Sequence, residues 1–293
     1  MKIQKSYKGA GGTLYLVATP IGNLKDITLR ALEVLREVDI VACEDTRQTI
    51  KLLNHYEISK PLISYYQHNE LISAESLLSE LASGKSIALV SDAGTPAISD
   101  PGYELVTRAI ATDIAVVPIP GANAAINGLI ASGLATDRFT FVGFLPREKK
   151  EINAELSELR GYRGTLIFYE APHRIKRTLT IILEMLGDRE AVLVRELSKL
   201  HEEFLRGHLS EIAEHFKEYE PRGEIMIVVE GASKEILAAI EASAAESAWW
   251  HELTLNEHVD HYVRAGLTSK DAIKQVALER DLAKNQVYND YHK

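Results

Sequence analysis

Leu14-Tyr15-Leu16-Val17-Ala18 runs directly into Thr19-Pro20-Ile21-Gly22-Asn23-Leu24. An apolar, β-prone run followed by a cluster of turn formers reads as a short buried strand that stops abruptly. Asp26 then precedes a helical pattern in which Ile27, Ala31, Leu35 and Val38 fall on one face. Strand, tight turn and amphipathic helix together open an α/β unit. Working outward, the strand signal returns at 39–43, 62–65, 87–91 and 114–119, with helical segments between. Such short, nearly continuous apolar strands predict a parallel sheet covered on both faces.

Pro118-Ile119-Pro120-Gly121 breaks the rhythm and marks a boundary between an N-terminal α/β domain, 1–119, and a second one, 120–232. Strands are expected there at 139–144, 165–169, 191–195, 203–206 and 225–230. The later ones follow each other closely, which predicts a mixed rather than a purely parallel sheet. An Ala/Ser/Glu-rich stretch ending in Trp249-Trp250 reads as a linker helix within 233–250. Three short helices, at 255–264, 268–279 and 284–291, fill a small C-terminal domain, 251–293, with Thr268 or Ser269 capping the second. The trio reads either as a helix-turn-helix-like module or as a plain helical cap.

With 293 residues, 46% of them hydrophobic and 26% charged, the chain has material for two cored domains. No apolar run approaches the roughly 20 residues a membrane span needs. The polar stretch 1–12 has the features of neither a signal nor a transit peptide. A single cysteine, Cys43, excludes an internal disulfide and suits a reducing compartment, so a cytoplasmic location is expected. A net charge of −9 argues against broad phosphate binding, although binding depends on local patches. The richest basic excess spans 138–177, with nine Lys/Arg against five Asp/Glu. It is either such a patch or a solvated helix face.

The turn after the first strand holds one glycine, not the G-x-G-x-x-G that brings a backbone onto a pyrophosphate. No P-loop and no nucleophile elbow occur in the chain. The densest segment is instead Ser91-Asp92-Ala93-Gly94-Thr95-Pro96-Ala97-Ile98-Ser99-Asp100-Pro101-Gly102. It leaves a buried strand at the sheet's carboxyl edge, where α/β proteins bind ligands. Its carboxylates suit a cationic or hydroxyl-bearing partner. Pro120-Gly121-Ala122-Asn123-Ala124-Ala125 opens a helix with free N–H groups. Three polar clusters stand at other strand ends: Glu44-Asp45-Thr46-Arg47, 65–70 with His68, and Tyr169-Glu170-Ala171-Pro172-His173-Arg174. Each could be a structural cap, but their shared topological edge suggests one pocket between the two halves. His258 and His261 read as surface histidines, and no metal is expected.

Segment 14–24, Glu44-Asp45-Thr46-Arg47, the 91–102 loop, Pro120-Gly121-Ala122-Asn123 and Phe168-Tyr169-Glu170-Ala171-Pro172-His173-Arg174, taken in order, resemble the tetrapyrrole methylase superfamily. The likeness covers 12–231, and its RNA-acting branch matches best. Tetrapyrrole-acting members carry a more glycine-rich first loop than Thr19-Pro20-Ile21-Gly22-Asn23. The resemblance implies two α/β domains, S-adenosylmethionine in the cleft between them, a homodimer, and methylation of the ribose 2′-hydroxyl of cytidine 1402 in 16S rRNA of the small ribosomal subunit. Gly94-Thr95-Pro96 matches the family's Gly-Asp-Pro cofactor loop, with Thr95 in place of Asp. Cofactor contacts are then expected from Pro20, Gly94, Thr95, Ile98, Asn123, Ala124, Tyr169 and Glu170. Because a ribose hydroxyl needs a base, Glu44, Asp45, Asp100 and Glu170 are the catalytic candidates, with His68 and His173 behind them. Arg47, Arg174, His68 and His173 are expected to meet the RNA. Two other readings stand beside this one. One is a tetrapyrrole acceptor. The other is a non-catalytic nucleic-acid binder using the C-terminal helices, where Lys and Arg do not outnumber Asp and Glu.

Overall fold

A computed structural model describes residues 3–4, 12–66, 70–219, 222–246 and 249–292. The chain divides into two compact units, 1–231 and 232–293.

The first sheet has five parallel strands in the order β3-β2-β4-β1-β5. They are β1 (Thr13–Val17), β2 (Ile40–Cys43), β3 (Leu62–Ser64), β4 (Ile87–Val90) and β5 (Ala115–Ile119). The helices between them are α1 (Leu29–Glu37), α2 (Thr46–His55), α3 (Glu70–Ala82) and α4 (Tyr103–Ala111). Thr28 and Asp45 cap α1 and α2 through their side-chain oxygens. Val34, Leu35 and Leu53 of α1 and α2 pack on one face of the sheet. Leu77, Leu81 and Leu105 of α3 and α4 pack on the other. The neighbours β1 and β4 therefore send their connections to opposite faces, which opens a crevice at their carboxyl ends. At the outer edge, the Gln4 side-chain amide donates to the Val116 carbonyl and accepts from its N–H. It stands in for a missing strand there.

After β5 the chain crosses to the second sheet. Here α5 (Ala124–Ser132) lays Ala125 and Leu129 against Val192, Val194, Met226 and Val228. That sheet is mixed, in the order β6-β7-β10-β8-β9. Its strands are β6 (Phe139–Phe144), β7 (Thr165–Glu170), β8 (Glu190–Arg195), β9 (Glu203–His208) and β10 (Ile225–Val229). Only the β6–β7 pair is parallel. Its other face is covered by α6 (Lys149–Leu159), α7 (Ile175–Leu186) and α8 (Leu209–Glu218).

In the second unit, α9 (Lys234–Glu246) is followed by α10 (Leu255–Arg264), α11 (Ser269–Glu279) and α12 (Lys284–Tyr291). Thr254 and Thr268 cap α10 and α11. His258 corrects the surface reading of the sequence, because it is fully buried. Trp250 stacks on its ring and Trp249 meets it edge-on. Arg280 Nε donates to His258 Nδ1 at 3.1 Å, which leaves the ring proton on Nε2, 2.9 Å from Glu279 Oε2. Burial holds the imidazole below its usual pKa, against the opposing pull of Glu279. A base disfavoured in its charged form stabilises its fold fully above about pH 6.5 and progressively less below it. The chain's two tryptophans both flank His258, so their fluorescence reports this unit. The urea midpoint read at those tryptophans is expected to fall between pH 7.5 and pH 5. An unchanged midpoint would show that the histidine bears no such load.

Candidate active site

The crevice loops are tied by backbone. Thr19 N–H donates to the Gly94 carbonyl at 2.8 Å and Gly94 N–H donates back to Thr19 at 3.0 Å. Thr19 Oγ1 also donates to the Ser91 carbonyl. From Gly94 onward the loop turns sharply, with positive φ at Gly94, Ala97, Ser99 and Gly102. A Cβ at Gly102, where φ is +148°, would strike Ala97 Cβ at 2.9 Å, so only glycine serves. Ala97 and Ser99 hold a left-handed conformation without that freedom, a strain that gathers at binding loops.

The second sheet closes the opposite wall. Asn123 caps α5 by accepting from Ile126 N–H, and its Nδ2 donates to Thr95 Oγ1 at 3.2 Å. Thr95 Oγ1 donates in turn to the Ala122 carbonyl at 3.1 Å. The loop after β4 is thereby fastened to the start of α5. Between these parts lies a cleft of about 420 Å³. Of the expected cofactor residues, Gly94, Thr95, Ile98, Asn123, Ala124, Tyr169 and Glu170 line it, and so does Asp100. Pro20 does not line it, whereas its neighbour Ile21 does. Sequence reasoning missed Val194, Met226 and Phe144 on the wall. Their apolar strand pattern is the same as that of the core, and only tertiary structure separates the two.

The four candidate carboxyls differ in chemistry. Asp45 caps α2 and is gripped by Arg47 Nε at 3.0 Å and Nη2 at 2.7 Å. That bond holds its pKa down at about 2. Glu170 is buried, and its two oxygens accept from Ala171 N–H and from Thr178 Oγ1. Arg174 Nε lies 3.3 Å from it, while Arg174 Nη2 donates to the Leu145 and Pro146 carbonyls. This group pins the turn before α7 to the end of β6. Asp100 is pushed up to about 6, chiefly by burial and further by Asp92, against a hydrogen bond from Ser91. Glu44 is raised by burial and then by Asp100, Asp92 and Asp45, but does not line the cleft.

Arg47 and His173 are exposed, Arg174 is turned inward, and His68 lies outside the described residues. Among the described residues no group of three His, Cys, Asp or Glu is placed to hold a metal ion. No helix there is long and apolar enough to cross a membrane. A second hollow of about 560 Å³ lies beyond Ile21 and Leu197, which line both. The strained loop and the raised Asp100 carboxyl distinguish the first.

The family model of the Tetrapyrrole (Corrin/Porphyrin) Methylases matches residues 13–213. Over its whole length the chain is 52% identical to the ribosomal RNA small subunit methyltransferase I of Halalkalibacterium halodurans, covering 99% of that protein. It is 51% identical to the Bacillus subtilis protein of the same name, again over 100% and 99% of the two chains. Among solved structures it is similar to uroporphyrin-III C-methyltransferase from Thermus thermophilus complexed with S-adenyl homocysteine. The TM-score is 0.54 at 22% identity, over 78% of this chain and 100% of that one. A diphthine synthase matches with a TM-score of 0.58 at 18% identity, over 82% and 99%. These structural likenesses bear on the fold.

Proposed function

The chain belongs to the tetrapyrrole methylase family, and we propose that it transfers the methyl group of S-adenosylmethionine to a ribose 2′-hydroxyl of small-subunit ribosomal RNA. The full-length likeness to relatives named for that RNA carries the choice of acceptor. Cytidine 1402 of 16S rRNA is the nucleotide this reading names.

The cleft suits the cofactor by its own chemistry. Its volume falls within the range of small-molecule sites, with apolar walls and a few convergent polar groups. Ile21, Val194 and Met226 offer apolar surface for an adenine, and Thr95 and Asn123 offer hydrogen bonds. Gly94, Ile98, Ala124 and Tyr169 complete the set that would hold it. Glu170, engaged by its own turn, shapes the wall. When bound, S-adenosylmethionine supplies a methyl group on a sulfonium, open to in-line attack. The protein must align the hydroxyl and take its proton. We assign the proton to the Asp100 carboxylate. A pKa near 6 makes it a stronger base than an ordinary Asp while leaving it ionised at neutral pH. Asp45 is too weak a base and already held by Arg47, which leaves Glu44 as the neighbouring carboxyl. Arg47 and His173 are the exposed groups for RNA phosphates, while Arg174 holds the turn.

Transfer of label from S-adenosylmethionine to small subunits lacking the modification tests this directly. A 2′-O-methyl blocks attack of that oxygen on the next phosphate, so label is expected in an alkali-resistant dinucleotide. Label in mononucleotides would mean base methylation and refute the ribose assignment. No transfer to RNA would point to a tetrapyrrole acceptor or, if the cofactor does not bind either, to a scaffold. The same reading places the enzyme in the cytoplasm and pairs it as a homodimer. Leu29, Ile130 and Leu200 are exposed apolar side chains that a second copy would cover, checked by sedimentation equilibrium.

Thr95→Val removes both bonds between the two cleft walls. At about 0.5–1.5 kcal/mol for each neutral bond, the dissociation constant of S-adenosylmethionine is expected to rise about 5- to 150-fold with the fold intact. A calorimetric value within twofold of wild type would remove Thr95 from the site.

A further inference from the structure

One irregularity of the second sheet decides which way Phe144 points. β6 pairs with β7 as Phe139 with Thr165, Thr140 with Leu166 and Phe141 with Ile167, and then slips. Gly143 faces Phe168 and Phe144 faces Tyr169, which leaves Val142 as the extra residue. Side chains alternate along a strand. In an unbroken β6, Phe144 would share the face of Val142, which packs into the core beneath α6 and α7. The slip reverses that parity. Phe144 joins Tyr169 instead, with ring centroids 5.6 Å apart at 65°, and lines the cleft. Gly143 makes the slip possible at φ +77°, a conformation that side-chain-bearing residues rarely adopt. The outcome is a phenylalanine turned out of an apolar core and left 55% exposed.

Basic side chains stand close to this ring in the chain and at the helix starts that follow. Arg147 comes three residues after it, Lys149 and Lys150 open α6, and Arg177 lies in the first turn of α7; all four are exposed, and Lys149 pairs with Glu184. The hydrogen bonds from Arg174 to Leu145 and Pro146 hold the starts of these two helices together. Glu148 and Glu151 interrupt the patch without cancelling it.

A ribose hydroxyl in folded RNA reaches such a cleft only when its nucleotide leaves the base stack. The freed base then needs a flat apolar partner, and the backbone needs positive charge. We propose that Phe144 is the platform on which the base of the target nucleotide stacks, with Arg147 and Arg177 receiving the adjacent phosphates. This rests on the RNA reading above. Stacking tolerates any base, so Phe144 seats the nucleotide rather than selecting its identity.

Steady-state kinetics of wild type, Phe144→Ala, Phe144→Tyr and Phe144→Leu on unmodified small subunits test this, with S-adenosylmethionine binding measured by calorimetry. Phe144→Ala is expected to raise the KM for subunits about 5- to 150-fold with cofactor affinity unchanged. Phe144→Tyr restores it, and Phe144→Leu, apolar but without a π-face, does not. An unchanged KM in Phe144→Ala, or rescue by Leu as complete as by Tyr, overturns stacking. Cofactor affinity falling in step with activity makes the ring part of the cofactor wall and overturns it as well. If wild type itself fails to methylate subunits, the acceptor reading falls and this inference falls with it.

Discussion

Asp100→Asn is expected to slow methyl transfer by about 10²- to 10⁴-fold, the usual cost of removing a general base, with S-adenosylmethionine affinity near that of wild type. The substitution keeps the shape of the side chain and its bond with Ser91, and removes only the ability to hold a proton. In wild type the rate should rise with pH through about 6 and level off above it, because the protonated carboxyl cannot act as a base. The same shift has a consequence for stability. The folded pKa of Asp100 lies above its unfolded value of 3.8, so its favourable contribution is complete below that value and is lost as pH rises through about 6. Above pH 6 the wild type carries a half-buried charge that the Asn variant lacks. Asp100→Asn should therefore melt higher than wild type at pH 8, with the gap closing towards pH 4. A slower yet more stable variant is the pattern of a group kept for chemistry. Wild-type turnover in Asp100→Asn would move the proton-accepting role to Glu44.

What could be read from the chain follows from how local each signal is. The 14–24 segment is legible because a buried strand and its turn residues lie side by side. The second of the three C-terminal helices is legible because Thr268 marks its start. The crevice loop at 91–102 stands out because its prolines and glycines have no use in a helix or strand. Side-chain pairings are harder to read. Even Arg47, two residues from Asp45, does not tell in the sequence whether it grips that carboxylate or leaves it a free base. Nor does anything near Glu170 reveal that Thr178, a helical turn into α7, binds its second oxygen. His258 looks like a surface residue until α11 brings Glu279 and Arg280 against it. The slip in β6 is invisible for a related reason. Phe139-Thr140-Phe141-Val142-Gly143-Phe144 alternates well enough to pass as an unbroken strand, and only pairing with β7 shows where Phe144 points.

Arg189→Met is expected to cost on the order of 3–5 kcal/mol of stability, from one buried and two partly buried carbonyls losing a charged donor at about 1–3 kcal/mol each, in part relieved by relaxation. Arg189 precedes β8 and is 2% exposed. Its Nε donates to the Leu186 carbonyl at 2.9 Å, Nη1 to Glu230 at 3.2 Å and Nη2 to Arg160 at 2.6 Å. One guanidinium thus joins the ends of α7, β10 and α6. Only its planar fork has donors aimed in three directions, so Arg189→Lys should recover little of the loss. Burial presses its pKa below the usual guanidinium value, yet without its charge these bonds would weaken. Thermal unfolding by circular dichroism should show a midpoint lower by about 10 °C. A shift under about 2 °C would mean that water or a neighbouring donor replaces the side chain. The knot lies at the far end of β8 from Val194, which lines the cleft, about 15 Å of strand away. At a temperature where Arg189→Met is still folded, cofactor binding should match wild type. That would separate the residue that holds the second sheet together from those that work at its other end.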